Sequence, residues 1–178
     1  EIINPINTTC IATSSFDLIV NELPEFEVNS SQILCVTTPK SSIPLFPEIG
    51  NLNEDLFEYT WHDENGKFLS NNFVYNAFNA GYYYITLTKS DGSFCSRTKE
   101  ILVGLSEISN FSIFDIEIID DSKNNTITIN AENIGIGDYE FSIDDEFSSF
   151  QDDPFFENVK AGIHTIYVHD KKGCGTKS

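Results

Sequence analysis

Residues 80–95 read "AGYYYITLTKSDGSFC", and residues 161–174 read "AGIHTIYVHDKKGC". Both open on Ala-Gly, alternate apolar with polar residues, pass a charged turn holding one Gly and stop at a Cys. Aligned on Gly81 and Gly162, Tyr83 meets His164, Ile85 meets Ile166 and Leu87 meets Val168. Side chains two apart share a face of a strand. These positions therefore form an inward row, and Tyr82, Tyr84 and Thr86 an outward one, matched by Ile163, Thr165 and Tyr167.

The likeness continues upstream. "FEYTWHDENGKFLSNNFVYNAFNAG" precedes the first stretch and "DYEFSIDDEFSSFQDDPFFENVKAG" the second, each reading as strands around an acidic turn. Asn65-Gly66 is a hairpin signal for a type I′ turn. "SQILCVTT" and "NTITINAEN" fit the second strand of each unit. A partial third copy lies at the start, where "CIATSSFDLIV" parallels "CSRTKEILV". No long stretch carries helical spacing with caps, and closely spaced short strands indicate antiparallel β-sandwiches.

The expected fold is all-β: tandem immunoglobulin-like antiparallel sandwiches of about seven strands each. The expected divisions are 1–22, the terminal strand of a preceding repeat; 23–104, a first full module; and 105–178, a second module lacking its last strand. "NELPEF" and "VGLSEISNF" read as short linkers. Ile85 and Leu87 are expected to face Trp61 across the core, with Ile166 and Val168 facing Phe141 and Ile143. Modules with an odd number of strands string end to end.

Cys10, Cys35, Cys95 and Cys174 form no CxxC or Cys/His cluster, which argues against zinc. Trp61 lies between Cys35 and Cys95, the order of the immunoglobulin scheme in which a buried Trp packs on an inter-sheet disulfide. That order predicts a Cys35–Cys95 bridge and an oxidising compartment. The alternative is two buried thiols in a cytoplasmic protein. Cys10 is expected to pair upstream of Glu1. Cys174 has no evident partner and is read as free or paired outside the sequence.

The chain has no Met and begins at Glu1, which reads as a processed protein or a piece of a longer one. It contains 28 Asp plus Glu against 10 Lys plus Arg, a formal charge of −18. With no basic patch to hold phosphates, nucleic acid and anionic lipid are excluded as partners. No apolar run approaches the roughly 20 residues of a membrane helix, so membrane insertion is not expected.

"FEYTWHDENG…AGYYYITLTKSDGSFC" resembles the PKD-like immunoglobulin modules of Bacteroidetes surface proteins. "GDYEFSIDDEFSSFQDDPFFENVKAGIHTIYVHDKKGCG" is similar to the repeats of gliding-motility adhesins. The resemblance implies a repeat region of a secreted protein at the bacterial cell surface. It also implies a gliding-motility-type C-terminal sorting domain beyond this sequence, and export by the type IX secretion system. Partners would be neighbouring repeats, the secretion machinery and surface glycans.

No nucleophile motif, H-E-x-x-H or P-loop is present, so a non-catalytic role is expected, without cofactor. "NIGIGD" at 133–138 is not a dinucleotide fingerprint. His62 is expected to face away from Trp61, His164 to be a hydrogen-bonded core residue, and His169 to lie in a solvated turn. Calcium candidates are Asp144, Asp145, Asp152 and Asp153, with Asp120 and Asp121 beside them; none has EF-hand spacing. Tyr82 and Tyr84 form a candidate glycan platform. The leading reading is a structural or adhesive spacer. The alternative is a carbohydrate-binding accessory region of a secreted glycan-degrading enzyme.

Overall fold

The computed structural model describes residues 2–3, 11–12, 14–36, 41–121 and 124–178. The fold is all-β, with three short 3-10 turns and no longer helix among the described residues. Near the start, β1 (Ile2–Ile3) pairs with β2 (Ile11–Ala12). Residues 14–22, expected to end a strand, have no regular structure and are exposed. Cys10 lies outside the described residues.

The first full module contains β3 (Ser31–Cys35), β4 (Ile43–Leu45), β5 (Phe57–Asp63), β6 (Phe68–Ser70), β7 (Tyr75–Ala77), β8 (Gly81–Lys89) and β9 (Ser96–Ser106). A five-stranded sheet in the order β3-β9-β8-β5-β6 packs on the pair β4-β7. Alternation sends Tyr83, Ile85 and Leu87 inward, all buried. They share their core with Phe26, Leu45, Tyr59, Trp61, Ile101 and Val103. Trp61 is fully buried, and its indole N–H donates to the Asn72 carbonyl at 2.9 Å.

Trp61 and Ile85 are direct neighbours on paired strands, as are Tyr59 and Leu87. They line one face together and do not confront each other across the core, as the sequence reading expected. The Asp63–Gly66 turn also departs from type I′. Only Gly66 has positive φ (75°), and its N–H donates to the Asp63 carbonyl at 3.0 Å. This is a type I turn followed by a left-handed glycine.

The second module contains β10 (Ile116–Ile119), β11 (Thr126–Ile129), β12 (Tyr139–Ile143), β13 (Phe155–Phe156), β14 (Ile166–Asp170) and β15 (Gly175–Lys177). Sheets β10-β11-β13 and β12-β14-β15 enclose Phe111, Ile127, Ile129, Ile134, Phe141, Phe156, Ile166 and Val168. Phe141 pairs with Val168 and Ile143 with Ile166, again side by side in one sheet. Gly175–Lys177, read as a lead-in to a strand not present, is itself a strand against β14.

The Cys35–Cys95 pairing is wrong. Cys35 is bonded to Cys174, and Cys95 is a free thiol. The error lies in strand order: "SQILC" is the module's first strand, not its second. It pairs parallel with β9, placing Cys35 opposite Ser106. Cys95 precedes the other end of that 11-residue strand. At about 3.3 Å per residue the two cysteines stand roughly 35 Å apart, far beyond the ~7 Å reach of a disulfide. "NTITINAEN" lacks a matching Cys because β11 is a different kind of strand, paired antiparallel with β10 and β13.

Candidate functional site

The stretch read as a linker at 103–111 is built into both modules. β9 continues to Ser106, which is fully buried, and Ser109 and Phe111 are buried beyond it. "NELPEF" is likewise no linker, since Pro24 and Phe26 are buried.

Between the modules lies Asp170, with no exposed surface. Its Oδ1 accepts from the Ser106 hydroxyl at 2.8 Å and the Asp138 N–H at 3.0 Å, and its Oδ2 from the Cys174 N–H at 3.0 Å. Burial alone would raise its carboxyl. Donors from Cys174, Ser106, Asp138 and Lys172 outweigh burial and hold it below the ordinary value. The Cys35–Cys174 bond closes the same junction covalently.

Glu107 adds two contacts. Its Oε1 accepts from the Ile136 N–H at 3.0 Å, and its carbonyl from the Tyr139 hydroxyl at 3.1 Å. The glycines of "NIGIGD" serve that tyrosine. A Cβ on Gly137 would stand 2.4 Å from the Tyr139 ring, and one on Gly135 2.3 Å from its hydroxyl.

Strand polarity sets where the chain passes. The Glu27 carboxylate meets Lys99 Nζ at 2.6 Å, and β3 then runs alongside β9 until Cys35 reaches Ser106. The chain thus enters the first module at the end remote from the junction. Beyond the junction, Gly175 lies opposite Asp170 and Lys177 opposite Val168, so β15 leads away from it.

A second surface is the outer face of the five-stranded sheet. Tyr82 is 41% exposed and Tyr84 half-buried, as the alternation predicts. The register sets Tyr84 between His62 and Glu100, and Tyr82 beside Leu102. His62, which faces away from Trp61, meets the exposed Phe68 edge-on, with ring centroids 6.1 Å apart. A hydrogen bond to Glu100 raises the Tyr84 hydroxyl above its ordinary value. Below this row the Thr86 and Thr98 hydroxyls meet at 2.7 Å.

The calcium candidates are committed to protein donors. Asp144 accepts from the Thr165 N–H (2.8 Å) and meets His164 Nδ1 (2.6 Å). Asp145 accepts from the N–H groups of Phe147 and Ser148 and the hydroxyls of Ser148 and Ser149. Those donors, the Phe147 N–H foremost, hold its carboxyl at about 2. Asp152 pairs with Lys171 at 2.9 Å, and Asp153 accepts from the Phe155 N–H at 3.1 Å. Among the described residues no three His, Cys, Asp or Glu side chains converge as a metal site.

His164 is hydrogen-bonded as expected but sits half-buried at the edge of its module. Its Nε2 lies 2.6 Å from the Lys160 carbonyl. It lines an apolar cleft of about 320 Å³ with Ile116, Ile118 and Ile166. Both ring nitrogens are occupied, so no basic nitrogen is left for chemistry there. His169, expected in a turn, lies on β14 against the Phe150 ring, with Nδ1 2.8 Å from the Thr176 hydroxyl.

No described helix is long and apolar enough to cross a membrane. No family model and no curated protein matches the chain. Among solved structures it is similar to SGBP-B of the Bacteroides ovatus mixed-linkage glucan utilization locus, determined in complex with a mixed-linkage heptasaccharide. Identity is 15% and the TM-score 0.30, over 88% of this chain and 47% of that one. The chain spans about half the length of that neighbour. A likeness this loose carries no functional argument.

Proposed function

We propose that the chain is a rigid, non-catalytic spacer: two modules of an exported bacterial surface protein, threaded end to end and locked at their junction. The observation that carries this is the lock itself, the Cys35–Cys174 bond beside the buried Ser106–Asp170 pair. A flexible linker needs neither. A disulfide persists in oxidising compartments, which supports export, and the acidic surface keeps neighbouring copies apart. Type IX secretion and attachment to further repeats rest on the resemblance of "VHDKKGCG" and its surroundings to gliding-motility adhesin repeats.

Small-angle scattering on the monomeric, oxidised chain tests the spacer. A radius of gyration clearly above the ~16 Å of a compact chain of this length supports it, and a value near ~16 Å overturns it. A second reading, a carbohydrate-binding accessory region, is favoured by the outward-facing row of Tyr82, Tyr84, His62 and Phe68, of which Tyr82 and Phe68 are exposed. The two are compatible, because a rigid spacer can also present a binding face.

A further inference from the structure

The tyrosine row ends at a recess. Tyr82 borders a cavity of about 340 Å³ that is also lined by Asp63, Glu64, Asn65, Lys67 and Asn79. The type I turn at Asp63–Gly66 forms one wall. Gly81, at the start of β8, lines the other side, in a left-handed backbone conformation (φ 140°) that favours glycine. Tyr75 and Tyr83 also line it, and they pack on each other with ring centroids 5.6 Å apart. The Tyr83 hydroxyl is turned to the Asn79 carbonyl at 2.9 Å. Asp63 is spent on its own turn, accepting from the N–H groups of Asn65 and Lys67. Glu64 and Lys67 form no ion pair among the described residues.

We infer that this recess binds the end of a neutral saccharide chain, with the next rings lying along Tyr82 and Tyr84. The inference rests on the carbohydrate reading and gives it a defined pocket. The lining supplies both donors and acceptors around an aromatic border, which matches a ligand with apolar C–H faces and a rim of hydroxyls. A purely apolar ligand would leave the polar lining unpaired. An anion would meet Glu64, Glu100 and a chain of net charge −18. The volume lies at the low end of the roughly 300–1,000 Å³ range of small-molecule sites, so the recess takes a chain terminus and the open sheet face takes the rest.

Calorimetric titration of the whole chain with cellohexaose, xylohexaose, mannohexaose and laminarihexaose tests this, with oligogalacturonate and glucosamine hexamer as anionic and cationic probes. The expected result is binding of at least one neutral hexasaccharide. That binding should weaken about tenfold or more in Tyr82→Ala and in the double variant Glu64→Ala/Lys67→Ala, with melting temperatures unchanged. Binding lost in Tyr82→Ala but retained in the double variant overturns the recess and leaves the sheet face standing. Binding of the charged probes alone overturns the neutral-saccharide assignment. Absence of binding to every probe overturns both the recess and the carbohydrate reading.

Discussion

The Ser106 hydroxyl of one module donates to the Asp170 carboxylate of the other at 2.8 Å, and both side chains are buried. A buried carboxylate is tolerated only when its lone pairs are filled. Here they are filled from β9, from the segment before β12 and from the β14–β15 turn. The bond therefore depends on both modules holding their relative position.

Asp170→Ala strips the acceptor from the Ser106, Asp138 and Cys174 donors and is expected to cost about 3–5 kcal/mol, read by denaturant unfolding of the oxidised chain. A loss below ~1 kcal/mol would mean the junction is wet. The Asp170 folded pKa lies below its unfolded value, so its contribution is complete above the ordinary carboxyl range of about pH 4. The contribution is lost as pH falls through the folded pKa. In Asp170→Asn this part of the acid sensitivity should disappear.

Trp61→Ala should destabilise the first module by about 3–5 kcal/mol through the cavity it leaves. It also abandons the Asn72 carbonyl. Unfolding followed by tyrosine fluorescence and circular dichroism reads the change. A cost under ~1 kcal/mol would place the indole at the surface.

His164 gives a pH dependence of opposite sign. The Asp144 carboxylate and then the Lys160 carbonyl raise its pKa above 6.5. The stabilisation it supplies is therefore complete below about pH 6.5 and fades as pH rises through the folded value. The melting-temperature advantage of the native chain over His164→Asn should be largest near pH 5.5 and shrink by about pH 8.5. An advantage that grows with pH would contradict the pairing.

Much of the first module is legible in the sequence because alternation is local. Tyr83, Ile85 and Leu87 declare an inward row, Tyr82 and Tyr84 an outward one, and Trp61 a core position. The junction is not legible. Ser106, Glu107 and Ser109 look solvated in a linear reading, and Asp170 looks like the end of a turn. The burial of Ser106, Ser109 and Asp170 follows from a second module folding against them. The Cys35 partner fails for the same reason, because the parallel pairing of a first strand with a last one leaves no local trace. The recess is not legible either, because it forms where the Asp63–Gly66 turn comes to lie beside Gly81, two places the sequence keeps apart. Its one visible sign is Gly81, which lines it.

The locked junction stands or falls with which cysteine holds Cys35. Closing a loop with a sequence separation of 139 corresponds to about 5 kcal/mol of chain entropy, and the bond fixes the two modules to each other. Proteolysis of the alkylated, unreduced chain followed by mass spectrometry reads the pairing. The expected result is a linked peptide pair carrying Cys35 and Cys174, with Cys95 alkylated. A Cys35–Cys95 pair with Cys174 alkylated would contradict the locked junction and the rigid spacer built on it.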